Sequence, residues 1–161
     1  MKFTEGYWVV SEQVKASYAS QAFYAEKIDG GMRIVMTERP IKDRGDALNI
    51  STITLDFIVF AENNIQVTAR HYEAYDNKEA RFELYKEDTS YTVEITDEKA
   101  VMDTGVIAVH VNRRTGQYYF VSGDKVVTSC GFRNLGYMRW DKQPNTMLAK
   151  KNYMSDLYTP Y

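Results

Sequence analysis

Apolar and polar residues alternate along most of this chain in short runs, and the period is two. The segment from Thr104 to Thr128, TGVIAVHVNRRTGQYYFVSGDKVVT, shows this most plainly: three alternating apolar runs separated by two tight polar turns. Turns that short join only antiparallel strands, because a parallel pair needs a long crossover. Val14 to Thr37 reads as two strands closed by Asp29-Gly30-Gly31, whose glycines supply the positive φ that hairpin turns require. After Pro40 and the polar run Lys42 to Asp46 comes the strongest strand, Ile50 to Ala61, with Ile53, Leu55, Phe57 and Val59 on one face. Ile58 and Phe60 load its other face near the end, which predicts a strand covered on both sides. Asn63-Asn64 marks a turn, and Ile65, Val67 and Ala69 alternate beyond it. Phe82 and Leu84, then Tyr91, Val93 and Ile95, make two further runs, with a polar loop at Glu73 to Glu79.

About ten such runs, spaced near the interval typical of sandwiches and barrels, predict an all-β chain folded as an antiparallel β-sandwich. The alternation turns Ile53, Leu55, Phe57, Val67, Phe82, Val93, Val109 and Phe120 inward. After Cys130 the pattern changes. Residues 131–161 show no sustained period of either kind, yet they hold Leu135, Tyr137, Met138, Trp140, Met147, Leu148, Tyr153, Met154, Leu157 and Tyr158. So many apolar groups are out of place in a solvated tail of about thirty residues. They predict a segment that continues into strands beyond Tyr161, folds back over the sandwich, or buries against another copy of the chain. The single domain expected over residues 1–161 is accordingly one truncated at its C-terminal end.

Composition narrows the function classes. The 161 residues carry a formal net charge of −2, which gives no electrostatic footprint for nucleic acid or an anionic membrane surface. No apolar run approaches the roughly 18 to 20 residues of a membrane span, and the opening MKFTEGYWVV is too short and polar for a signal peptide. One cysteine, Cys130, allows no intrachain disulfide, and a cytoplasmic location is the expectation.

Candidate chemistry is sparse. His71 and His110 have no second ligand at metal spacing, so the ordinary reading is a strand histidine with a local hydrogen bond. The carboxylate groups Asp97-Glu98, Glu87-Asp88, and Glu73 with Asp76 and Glu79 lie in polar, turn-like stretches where charge is simply solvated. Tyr118, Tyr119 and Phe120 are adjacent and must split between the two faces of a strand, so part of that cluster is core. Tyr137 and Trp140 are the better candidates for a contact surface, toward another domain or a sugar. Arg44-Gly45-Asp46 matches an integrin-recognition tripeptide but reads as a Gly-centred loop, and Cys130 as a small apolar strand residue. No catalytic, cofactor-binding or metal-ligating residue is assigned.

Several segments in order resemble the start of glycoside hydrolase family 31, within it the bacterial α-xylosidases. They are Met1 to Trp8, Arg44 to Asn49 leading into the strand Ile50 to Phe60, Thr104-Gly105-Val106, Arg113-Arg114-Thr115-Gly116, and Gly123 to Thr128. The resemblance runs along most of the chain and is weakest from Phe132 to Tyr161. It implies a β-sandwich of the galactose-mutarotase-like type, packed against a (β/α)8 barrel that carries the retaining catalytic aspartates. Those aspartates lie beyond the length of this chain, so no catalytic residue carries over. The implied role is a non-catalytic domain whose partner is the parent's own barrel, with oligosaccharide met only through the full-length enzyme. Self-association of the piece is the further expectation. A stand-alone carbohydrate-binding module and a mutarotase-like sugar epimerase remain the alternatives. The first needs an exposed aromatic platform; the second needs a His and a carboxylate facing one sugar ring.

Overall fold

The computed structural model describes residues 14–71, 87–131 and 133–140, the last of them by its backbone. Among these the chain is all-β: β1 (Val14–Tyr18), β2 (Gln21–Ile28), β3 (Gly31–Thr37), β4 (Thr52–Ala61), β5 (Asn64–Arg70), β6 (Thr92–Ile95), β7 (Lys99–Asp103), β8 (Ala108–Asn112), β9 (Tyr118–Ser122), β10 (Lys125–Cys130) and β11 (Gly136–Trp140). A four-stranded sheet runs β2-β3-β4-β5, a five-stranded sheet runs β10-β9-β8-β7-β6, and β1 pairs with β11. Every pairing is antiparallel. Consecutive strands lie side by side within each larger sheet, as short turns require.

Register explains which residues meet. In the four-stranded sheet, Ala25, Ile34, Leu55 and Ala69 form one cross-strand row, and Lys27, Met32, Phe57 and Val67 form the next. In the five-stranded sheet, the rows are Ile95-Ala100-Val111-Tyr118-Cys130 and Val93-Met102-Val109-Phe120-Thr128. Their apolar faces share one core, in which Met32, Ile34, Leu55, Phe57, Met102 and Val109 are fully buried. Phe57 stands edge-on to Tyr118, with ring centroids 5.4 Å apart, and tilted to Phe120 at 6.3 Å. This is the two-layer arrangement of a β-sandwich.

The β2–β3 turn separates two uses of glycine. Gly30 has φ +74°, the left-handed value expected of the turn. Gly31 is there for space, because a Cβ on it would lie 1.9 Å from the Phe57 carbonyl oxygen on β4.

Side chains close the sandwich at both ends. Beyond β8, Arg113 donates from Nη1 to the Thr96 carbonyl (2.7 Å) and from Nη2 to the Phe23 carbonyl (2.9 Å), so one guanidinium joins the two sheets. Its backbone repeats the link, since the Ala22 N–H donates to the Arg113 carbonyl (3.0 Å). At the opposite end the Thr104 hydroxyl donates to the Glu62 carbonyl in the β4–β5 turn, while the Val106 and Ile107 N–H groups donate to the Thr104 oxygen.

Five details depart from the alternation. The strand from Val14 is broken at Ala19-Ser20, because Ala19 N–H donates to the Leu135 carbonyl and Ser20 N–H to the Thr37 carbonyl. The chain there exchanges β11 for β3 as its partner. Val67, expected inward, is exposed: it shares a row with Phe57 but sits on β5, at the rim of the sheet. Val93 and Phe120 pack against the core from half-buried positions, and Phe82 lies outside the described residues. The second face of β4 is closed over Thr54 and Asp56, whereas Ile58 and Phe60 are half-buried. Within the segment that showed no period, Gly136–Trp140 is a strand, and Leu135 ahead of it is buried in the core. Its strand character comes from β1, a partner more than a hundred positions upstream.

The core makes an expected outcome concrete. Phe57→Ala lowers unfolding free energy by about 3–5 kcal/mol, while Val67→Ala stays within about 0.5 kcal/mol, read from urea midpoints. Equal losses for the two would contradict a core centred on Phe57.

Candidate functional site

Of the two residues singled out for contact, Tyr137 lies in β11 opposite Ser17, and Trp140 ends the same strand opposite Val14. The Trp140 side chain is outside the described residues. The Tyr137 ring is half-buried and lies flat against His71, with centroids 3.6 Å apart and planes within 10°. His71 follows the last residue of β5, and its Nδ1 sits 2.9 Å from the Thr52 carbonyl on β4. A carbonyl only accepts, so Nδ1 carries the proton and Nε2 keeps the lone pair in the neutral ring. The stack therefore fastens the β1–β11 pair to the end of the four-stranded sheet. Within the β1–β11 unit, the guanidinium of Arg133, just ahead of β11, sits 5.4 Å from the centroid of the Tyr18 ring on β1.

His110 occupies a different place. It lies on β8 across from Tyr119, with the two rings nearly parallel and centroids 5.0 Å apart. Tyr119 is exposed, whereas Tyr118 and Phe120 turn inward, so the adjacent aromatics split between the two faces. The other exposed aromatics described, Phe23 and Tyr24, are on β2 at its bulge, a site the alternation did not single out. A bulge re-aims the side chains beside it, which period-two counting cannot anticipate.

Among the described residues neither histidine is hydrogen-bonded to a carboxylate, and no group of three or more His, Cys, Asp or Glu is placed to hold a metal ion. Glu87, Asp88, Asp97 and Glu98 are exposed, and Glu98 pairs with Arg114 at 2.8 Å. Glu73, Asp76 and Glu79 lie outside the described residues.

The described carboxylate that burial does set apart is Asp56, in the middle of β4. It faces away from the core and is nearly fully covered. Arg33 reaches it from β3 with Nε on Oδ1 at 2.7 Å and Nη2 on Oδ2 at 3.2 Å, and Arg70 reaches the same Oδ2 from β5. Glu26 on β2 extends the row, 4.0 Å from Arg33. Acid and base chemistry needs a carboxyl free to face a substrate, and both oxygens of Asp56 are committed to guanidinium groups. Its role is structural. The local pattern could not single it out, because Arg33 and Arg70 come to the same face only through the register of the flanking strands.

Two further candidates resolve into local structure. Asp46 of the Arg44-Gly45-Asp46 tripeptide accepts from the Lys42 and Asp43 backbone N–H groups, which hold its carboxyl below the usual carboxylate range. The Asp43 carboxylate in turn accepts from Gly45 and Asp46 N–H groups, and Arg39 donates to the Asp46 carbonyl, so the tripeptide is held by its neighbours in the loop. Burial pushes the Cys130 thiol up, offset only in part by its hydrogen bond with Tyr118. Burial likewise pushes the Tyr118 hydroxyl up, with Cys130 adding to the shift.

No family model matches the chain. It is 26% identical over 129 residues to the α-xylosidase XylQ of Lactiplantibacillus pentosus. The match covers 80% of this chain and 17% of that protein, so the chain spans about a sixth of the relative's length.

Asp56→Asn removes the charge between two arginines, and the expected cost is about 3 kcal/mol in urea unfolding. A loss under about 0.5 kcal/mol would show that the row is solvated charge. A raised thiol pKa leaves less thiolate, so native Cys130 should alkylate more slowly with iodoacetamide than the urea-unfolded chain at about pH 8. Equal rates would contradict the half-buried, inert assignment.

Proposed function

We propose that this chain is the N-terminal, non-catalytic β-sandwich of a retaining α-glycosidase of glycoside hydrolase family 31, an α-xylosidase or close relative. It packs against and supports a catalytic (β/α)8 barrel encoded beyond it. The observation that carries this reading is the distribution of the similarity: most of this chain aligns with a small fraction of a much longer α-xylosidase. A two-layer antiparallel fold is the architecture such a supporting domain requires, and the galactose-mutarotase-like type is part of the proposal.

The described residues favour the supporting role over sugar chemistry performed by the chain itself. A retaining glycosidase holds two carboxyl groups about 5 to 5.5 Å apart around the bond it cleaves. The described carboxylate that is nearly buried, Asp56, is bound by Arg33 and Arg70. An epimerase of the mutarotase type needs a histidine facing the sugar beside a carboxylate, whereas His71 is held between Thr52 and Tyr137 and His110 lies against the Tyr119 ring.

Two measurements test the proposal together. The reading frame around the 161 codons is expected to continue into a barrel sequence, and the protein it encodes is expected to hydrolyse an aryl α-xyloside. The 161-residue chain alone is expected to show no turnover. Turnover by that chain, lost when its own carboxylates are replaced, would overturn the reading. So would a frame that closes without a barrel.

A further inference from the structure

The two outer faces of the sandwich differ in what it would cost to cover them. On the four-stranded sheet the outer face holds Glu26, Arg33, Asp56 and Arg70, joined by ion pairs. Glu26 and the two arginines keep part of their surface in water, and a covering layer would strip that water away at a cost. On the five-stranded sheet the outer face is built from two cross-strand rows. One contains Val101, His110, Tyr119 and Ser129, the other Ala108, Val121 and Val126. Within β8, β9 and β10 this face carries no Asp, Glu, Lys or Arg. Its charges, Glu94, Lys99 and Asp103, stand on β6 and β7 at the border. An apolar and aromatic centre inside a charged border is how interfaces are laid out, and it can be covered without desolvating an ion pair.

From this difference we infer that the outer face of β8, β9 and β10 is where the sandwich meets the catalytic barrel, packed against apolar sides of the barrel's outer helices. The inference rests on the glycosidase reading and adds the face that reading leaves open. Three observations select the barrel as the occupant. The aligned part of the α-xylosidase is 17% of its length, so in a protein of that kind most of the chain is tethered to this sandwich. A tethered neighbour competes at a high effective concentration that a free second copy does not have. The exterior of a (β/α)8 barrel is a ring of helices, and a helix laid on an apolar sheet face makes a third layer. The His110 and Tyr119 rings lie nearly parallel, 5.0 Å apart, and offer apolar area while each keeps polar atoms for a hydrogen bond across the contact.

The test is hydroxyl-radical footprinting of the unsubstituted protein encoded by the full reading frame, read by peptide mass spectrometry over a concentration series. Two tyrosines make the comparison, one on each outer face. In the sandwich itself Tyr119 is 39% exposed and Tyr24 49%, so without a cover they oxidise at similar rates. The expected result is that Tyr119 oxidises several-fold more slowly than Tyr24 at every concentration, and that urea removes the difference. Similar rates in the folded protein overturn the inference, and so does slower oxidation of Tyr24. Protection of Tyr119 that disappears on dilution also overturns it, because the cover is then a second copy. A frame that closes without a barrel sinks the glycosidase reading and this inference with it. A barrel that is present while Tyr119 stays open sinks the inference alone.

Discussion

The seam between the two sheets is the constraint on which the rest of the molecule depends. Each sheet has one apolar face, and neither is stable in water until that face is covered. Phe57, edge-on to Tyr118 and tilted to Phe120, stands where the central strand of one sheet meets the other sheet. Around it the side chains of β3, β4, β7 and β8 are excluded from water. Burial of that kind is non-directional, so it does not fix how the sheets are aligned. Alignment comes from directional bonds at the ends: Arg113 to the carbonyls of Phe23 and Thr96, and Thr104 to the carbonyl of Glu62.

Those two ties give a physical content to the resemblance. Thr104-Gly105-Val106 and Arg113-Arg114-Thr115-Gly116 look like unremarkable turn sequences, and neither contains a group that performs chemistry. In the fold they are the places where the two sheets are joined by hydrogen bonds.

The outer faces of the two sheets are used differently. On the four-stranded sheet a row of alternating charge, Glu26, Arg33, Asp56 and Arg70, covers the middle of β4. Such a row fixes register, because a slip of one residue would bury an unpaired carboxylate. On the five-stranded sheet the outer face carries His110 against Tyr119.

The sequence by itself determined the elements. Period-two alternation located most of the strands, the turns at Gly30 and in the Thr104 to Thr128 meander, and the buried face of β4, because these depend only on near neighbours in the chain. It also showed that Tyr118 to Phe120 must divide between two faces. What only the tertiary structure decided are matters of partnership over long separations. Gly136–Trp140 is a strand because β1 lies beside it, Val67 is exposed because nothing described lies beyond β5, and Asp56 is buried because Arg33 and Arg70 reach it from both sides. Tyr137, an isolated aromatic in the sequence, is a stacking partner for His71, sixty-six positions away. Local pattern sets which way a side chain points; only the assembled sheets set what it meets there.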